Sequence, residues 1–128
     1  MFDGGCRVPT VMWWPGKIPA RTSCAKPAMT IDLLPTVANL IGAELPKHKI
    51  DGRDIGPLLT SKPSDDFEEQ TYALYFLDEL QAVRRGRWKL HFPHRYRTLA
   101  GREPGSGGQP VKYEWGDVGL ELFDLEND

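Results

Sequence analysis

Two histidines flanking a proline, His91 and His94 around Pro93, are the residues of this chain best suited to proton or hydrogen-bond chemistry near neutral pH. They lie within residues 84–97, which hold six basic side chains (Arg84, Arg85, Arg87, Lys89, Arg95, Arg97), no acid, and the aromatics Trp88, Phe92 and Tyr96. Basic and aromatic side chains in alternation can grip phosphates and stack on bases. They can equally contact an anionic substrate such as a sulfated glycan. The plainest alternative is a solvated strand face whose charges offset the acidic stretch at 64–79. The formal net charge of −2 gives no general pull toward nucleic acid, which sets that partner class aside. His94, at the mouth of a long loop, is the candidate substrate-binding residue. His91 alternates with Arg87 and Lys89 and is expected on the outer face of its strand.

The other reactive residue types fit structural roles better. Cys6 and Cys24 have no metal-ligand or redox spacing and read as free, buried thiols rather than a disulfide. Asp51 and Asp54, with Gly52 and Gly56, suggest a calcium loop only weakly. The spacing is wrong for an EF-hand and no glutamate closes it, so turn and cap roles are expected. Gly105-Ser106-Gly107-Gly108 lacks the Lys-Ser/Thr of a phosphate loop and joins no strand to a helix. Trp13 and Trp14 can stack on a sugar, but an apolar run before Pro15-Gly16 is more often core. No metal-binding residue is assigned.

These residues need elements to hold them. The best-marked one is a helix from Asp32 to Gly42. Asp32 is placed to cap its first turn, Pro35 falls where a missing N–H costs nothing, and Gly42 supplies the left-handed end. Leu33, Leu34, Val37, Leu40 and Ile41 share one face of it at helical spacing. Residues 8–15 read as a short strand buried on both faces. Asp54 is placed to cap a short helical turn through Leu58 and Leu59. Residues 61–70 are polar and acidic and read as a surface linker. Beyond residue 70 the pattern becomes period two. A strand is expected at 71–77, a hairpin from 81 to 92 turning at Arg85-Gly86, and a last strand at 120–125. In the second hairpin arm Trp88, Leu90 and Phe92 face one way, while Arg87, Lys89 and His91 face the other.

With 128 residues, 40% hydrophobic and 27% charged, the chain has the composition of a globular protein with a modest core. Thirteen glycines and eleven prolines make it loop-rich. No apolar run approaches the roughly 20 residues that span a bilayer, so no membrane partner is expected. Two blocks emerge: 1–62, the end of an α/β layer, and 70–128, a small antiparallel sheet. A strand buried on both faces at 8–15 needs neighbours that this chain does not contain, so it is expected to be a fragment.

Seven stretches, in this order, resemble the sulfatase family, in its arylsulfatase A-like branch. They are Phe2-Asp3-Gly4-Gly5-Cys6-Arg7-Val8-Pro9, Trp14-Pro15-Gly16-Lys17-Ile18, Asp32-Leu33-Leu34-Pro35-Thr36 up to Gly42, Asp51-Gly52, Leu58-Leu59, residues 82–90, and residues 122–128. The resemblance covers nearly the whole chain. It implies an alkaline phosphatase-like α/β sandwich, of which 1–62 is the C-terminal end, with 70–128 as the smaller C-terminal antiparallel-sheet (α+β) subdomain. It implies hydrolysis of sulfate esters, of aryl sulfates or sulfated carbohydrates. A formylglycine nucleophile, made from Cys-x-Pro-x-Arg, and a calcium ion would carry that chemistry. This chain departs from the pattern: Cys6-Arg7-Val8-Pro9-Thr10 and Cys24-Ala25-Lys26-Pro27-Ala28 both fail the motif. Formylglycine, the calcium ligands and the catalytic residues are all expected upstream, so no catalytic residue is assigned here and the chain alone is expected to be inactive. The expected partner is the missing N-terminal sulfatase domain, with sulfated carbohydrate as a ligand. The alternatives are a standalone sulfated-glycan-binding module, using residues 84–97, or a remnant without function. Sulfatases of this type are commonly exported, to the periplasm or outside the cell, or lysosomal.

Overall fold

The structure, a computed structural model, describes residues 2–60 and 67–128. It divides into two units, one of Pro9–Glu69 and one of Met1–Val8 with Gln70–Asp128. The boundary at 62 sets residues 1–8 with the helical block; in the structure they group with the C-terminal sheet instead. Most of the linker expected at 61–70 lies outside the described residues.

In the first unit a 3-10 turn, Thr30–Asp32, leads into helix α2, Leu33–Ile41. (Helix α1 is the four-residue turn Asp3–Cys6.) Gly42 ends α2 in the left-handed region at φ 67, as its position predicts. Asp32 does not cap the helix. Its Oδ2 accepts the Met29 N–H at 2.8 Å and its Oδ1 accepts the Arg53 N–H at 3.0 Å. The fully buried carboxylate therefore ties the helix start to a segment 21 residues downstream. Thr36 continues this tie: its hydroxyl donates to the Asp32 carbonyl at 2.6 Å and accepts the Ile55 N–H at 2.9 Å. Gly52 passes so close to Ile31 that an added Cβ would stand 1.9 Å from the Ile31 carbonyl oxygen. Only glycine permits that approach. Asp54 starts α3, Gly56–Thr60, by accepting the Gly56 N–H at 2.7 Å, and holds Asn39 Nδ2 at 2.7 Å.

The side of α2 that packs is Pro35, Thr36 and Ala38, next to Ile55 in the core. The apolar stripe expected to be buried is outside: Leu33, Leu34, Val37, Leu40 and Ile41 are 39–71% exposed. Residues 8–15 form no strand, and Val11 and Trp13 are 91% and 83% exposed. An extended segment buries two faces only between ladder partners, and among the described residues no strand pairs with it.

In the second unit four strands run in the order β1-β2-β3-β6: β1 Thr71–Phe76, β2 Glu79–Arg85, β3 Trp88–His91 and β6 Glu121–Asp124. All neighbours are antiparallel, with Leu90 between Val83 and Leu122, and Lys89 between Arg84 and Phe123. Arg85 pairs with Trp88, so the turn is Gly86-Arg87, one residue later than expected. β4, His94–Thr98, and β5, Glu114–Val118, form a separate two-stranded ribbon that sequence patterning did not reveal. The two carry too few apolar residues to show alternation. Inside the loop between them, Ser106 and Gln109 bridge across a tight turn at Gly107-Gly108. The result is a small antiparallel sheet unit with few helices, the architecture expected of a sulfatase C-terminal subdomain.

Candidate functional site

β3 places Lys89 and His91 on one face of the sheet, and that face is the buried one. Lys89 is 2% exposed and His91 is 1% exposed, while Trp88 is 45% exposed. This reverses the outer position expected for both. The cover is the N-terminal segment. Asp3 Oδ1 accepts from Lys89 Nζ at 2.7 Å, and the Phe2 ring stacks on His91 with centroids 4.6 Å apart. Tyr96 and Phe123 set ring edges or faces against Phe2 at 4.7 and 6.5 Å. An ammonium leaves water only where a carboxylate meets it, and Asp3 is that carboxylate.

Electrostatics follow from this packing. Burial pushes the Asp3 carboxyl up, but the Lys89 hydrogen bond and charge, with Arg84 and Arg7, outweigh it and hold the carboxyl below its ordinary value. His91 is pushed down to about 4, by burial first and then by the Lys89 charge, so it is neutral at physiological pH. Among the described residues its Nδ1 is buried without a hydrogen-bond partner. His94, the expected substrate contact, is 6% exposed. Its Nδ1–H donates to the Phe92 carbonyl at 2.6 Å, and its ring lies along His91 at 5.5 Å.

The basic run does not form one face. Lys89 is internal, and Arg84 Nε donates to the Gly86 carbonyl at 2.9 Å. Arg87 meets Asp124 at 3.4 Å and Glu126 at 3.7 Å. Arg95 and Arg97 stand apart on β4, their guanidinium carbons 5.3 and 5.6 Å from the Trp115 ring centroid. The Trp115 partnership and the Asp3–Lys89 pair are what sequence spacing missed. Asp3 and Lys89 are 86 residues apart, and no local pattern links them.

The two cysteines are free, as expected, but Cys24 is exposed and Cys6 half-buried. The calcium implied by the resemblance does not fit this donor set. Among the described residues no group of three His, Cys, Asp or Glu side chains gathers in one place. Both Asp54 oxygens are engaged by Asn39 and Gly56. No helix among the described residues is long and apolar enough to cross a membrane.

The family model described as N-sulphoglucosamine sulphohydrolase, C-terminal, matches residues 1–97. Arylsulfatase A of Bos taurus is 40% identical over 94 residues, covering 71% of this chain and 18% of that protein. Arylsulfatase D of Homo sapiens is 33% identical over 141 residues, covering 99% of this chain and 23% of that protein. Steryl-sulfatase of Homo sapiens is 47% identical over 62 residues, covering 48% of this chain and 11% of that protein. The chain thus spans less than a quarter of the length of these relatives, and it belongs to the sulfatase family, in that family's C-terminal region.

Proposed function

We propose that this chain is the C-terminal part of a sulfatase hydrolysing sulfate esters, aryl or carbohydrate, and that it completes an alkaline phosphatase-like α/β layer. The supporting observation is the outward apolar stripe of α2: five aliphatic side chains at helical spacing, all exposed. Such a stripe is the face a helix lays on a sheet. Across the described residues twenty large apolar side chains are exposed against seven buried apolar ones, a surface that calls for cover. The partner we infer for this surface is the catalytic α/β domain, because the relatives are four to nine times longer than the matched region. Alone, the chain is expected to be inactive, since its sequence lacks Cys-x-Pro-x-Arg. Its parts toward the enzyme are to cover that domain and to form one wall of the substrate cleft, with His94 as the candidate contact.

The test is complementation. An arylsulfatase truncated before the matched region is co-expressed with this chain, and hydrolysis of 4-methylumbelliferyl sulfate is followed. Activity and co-purification are expected with the chain and lost with Val37→Asp plus Leu40→Asp. Because both positions are exposed, these changes leave the isolated fold intact. A chain that stays monomeric, binds no such domain and restores no activity overturns the reading.

A further inference from the structure

Three rings from three distant segments enclose His91. Phe2 stacks on it at 4.6 Å, His94 of β4 lies along it at 5.5 Å, and Phe123 of β6 meets it edge-on at 5.4 Å. Among the described residues nothing in that cage hydrogen-bonds its Nδ1. A neutral imidazole tolerates this, because one ring nitrogen need only accept. An imidazolium carries N–H on both nitrogens and would bury one donor unpaired.

The charges around the cage point the same way. The Lys89 ammonium opposes a proton on His91 from β3, His94 does so from β4, and the chain's amino-terminal charge adds to both. Asp3 is the carboxylate that favours the proton, but its Oδ1 already holds Lys89 at 2.7 Å and its Oδ2 faces Arg7 at 4.0 Å. Arg84 of β2 acts on Asp3 as well. Burial pushes the Asp3 carboxyl up, yet Lys89 and these arginines hold it below its ordinary 3.8. Asp3 therefore stays ionised in mild acid, and its ion pair is not what mild acid breaks.

The part of the cage able to leave is the N-terminal strap. Its backbone bonds run within itself, from Gly5 N–H to Phe2 and from Arg7 N–H to Asp3, while the side chains of Phe2 and Asp3 tie it to the sheet. It leads into residues 8–15, which form no strand. We propose that residues 2–7 are an acid-released strap: a proton taken up by His91 lifts Phe2 and Asp3 from β3 and uncovers Lys89, His91 and His94, while the sheet stays folded. The closed state is complete above pH 6.5 and weakens as pH falls toward 4, since His91 is held near 4 under the strap and returns to 6.5 once released. Between pH 7 and pH 5 that difference favours opening by about 20-fold. An imidazolium gripped by the face of Phe2 would instead tighten the strap in acid, which is the opposite result.

The test is hydrogen exchange on the full chain at pH 7 and pH 5, each rate divided by the intrinsic rate at that pH. Protection of the Arg7 amide is expected to fall by about 20-fold at pH 5, with the β2 and β3 amides unchanged. In a Cys24→Ser chain, 4,4′-dithiodipyridine should react with half-buried Cys6 faster at pH 5, relative to the urea-unfolded chain, by a similar factor. His91→Phe keeps the strap closed at both pH values, and His91→Gln does the same should the phenylalanine misfold. Asp3→Asn loosens the strap at both pH values and leaves the ratio between them. Acetylation of the amino terminus leaves the release in place, because Lys89 remains. The proposal is overturned if the strap is as protected at pH 5 as at pH 7 or more so, or if strap and sheet open together. Release that persists in both His91 variants, or that acetylation abolishes, overturns it too. None of these outcomes depends on whether the chain complements a sulfatase.

Discussion

Replacing Asp3 by Asn removes the carboxylate that the structure places on the buried Lys89 ammonium, at 2.7 Å. Breaking one side of a buried ion pair costs roughly 3–5 kcal/mol, because the remaining charge stays out of water. Asp3 is itself 27% exposed, so solvent already screens part of the pair, and about 2–3 kcal/mol is the expected loss. The reverse change is milder. Lys89→Met keeps the buried stem and removes the charge that needed a partner, while the Asp3 carboxylate rehydrates from its exposed side. About 1 kcal/mol or less is expected. The double variant Asp3→Asn with Lys89→Met should recover most of the loss of the first, since no unpaired ammonium is left.

Urea unfolding followed by far-UV circular dichroism reads these differences. With a slope of about 1–2 kcal/mol per molar, Asp3→Asn lowers the midpoint by roughly 1–2 M and Lys89→Met by well under 1 M. The structure also sets a ceiling. If residues 2–7 lift off together, Lys89 regains water, and the cost cannot exceed what anchors that strap. Besides the ion pair, the anchor is the Phe2 ring on His91 and Tyr96. Strap release would appear as lost hydrogen-exchange protection at the Arg7 amide, which donates to the Asp3 carbonyl at 2.8 Å, before the sheet amides exchange. A Lys89→Met variant as damaged as Asp3→Asn, or two unchanged midpoints, would refute the reasoning.

Thr36→Val leaves the Ile55 N–H buried and unpaired and should cost about 2–3 kcal/mol, with the Ile55 amide losing protection, whereas Thr36→Ser stays within about 1 kcal/mol. His91 is held near 4 when folded against 6.5 when free, so the unfolded chain takes its proton first. Its contribution is complete above pH 6.5 and is lost as pH falls toward 4, by about 1–3 kcal/mol after allowance for solvent screening. His91→Phe should flatten that slope in urea midpoints measured from pH 7 to 4. His94→Ala should destabilise by about 2 kcal/mol through its lost bond to Phe92 and its lost ring contact. In a complemented sulfatase, a substrate contact adds a rise in KM at unchanged kcat, and a purely packed His94 leaves KM alone.

The local signals in this chain were legible, and the signals that depend on distant partners were not. Gly42 and Asp54 announced a helix end and a helix start because capping is decided within a few residues. The alternation on β3 was equally local, and its parity was right: Lys89 and His91 do share a face. What failed was the assumption that the charged face meets water. Hydropathy assigns a face to solvent on average, but one carboxylate and one ring from residues 2–3 reverse that assignment. The same asymmetry governs α2. Its stripe was read as a face that packs, yet it is exposed in the structure; Asp32, Thr36 and Ile55 bind the opposite side, through hydrogen bonds that no apolar period encodes. A helix held in place by its polar side, with its aliphatic side still open, is what the proposed docking onto the catalytic domain requires. For that reason the exposed stripe, rather than any titratable cluster, is the strongest functional feature of the chain.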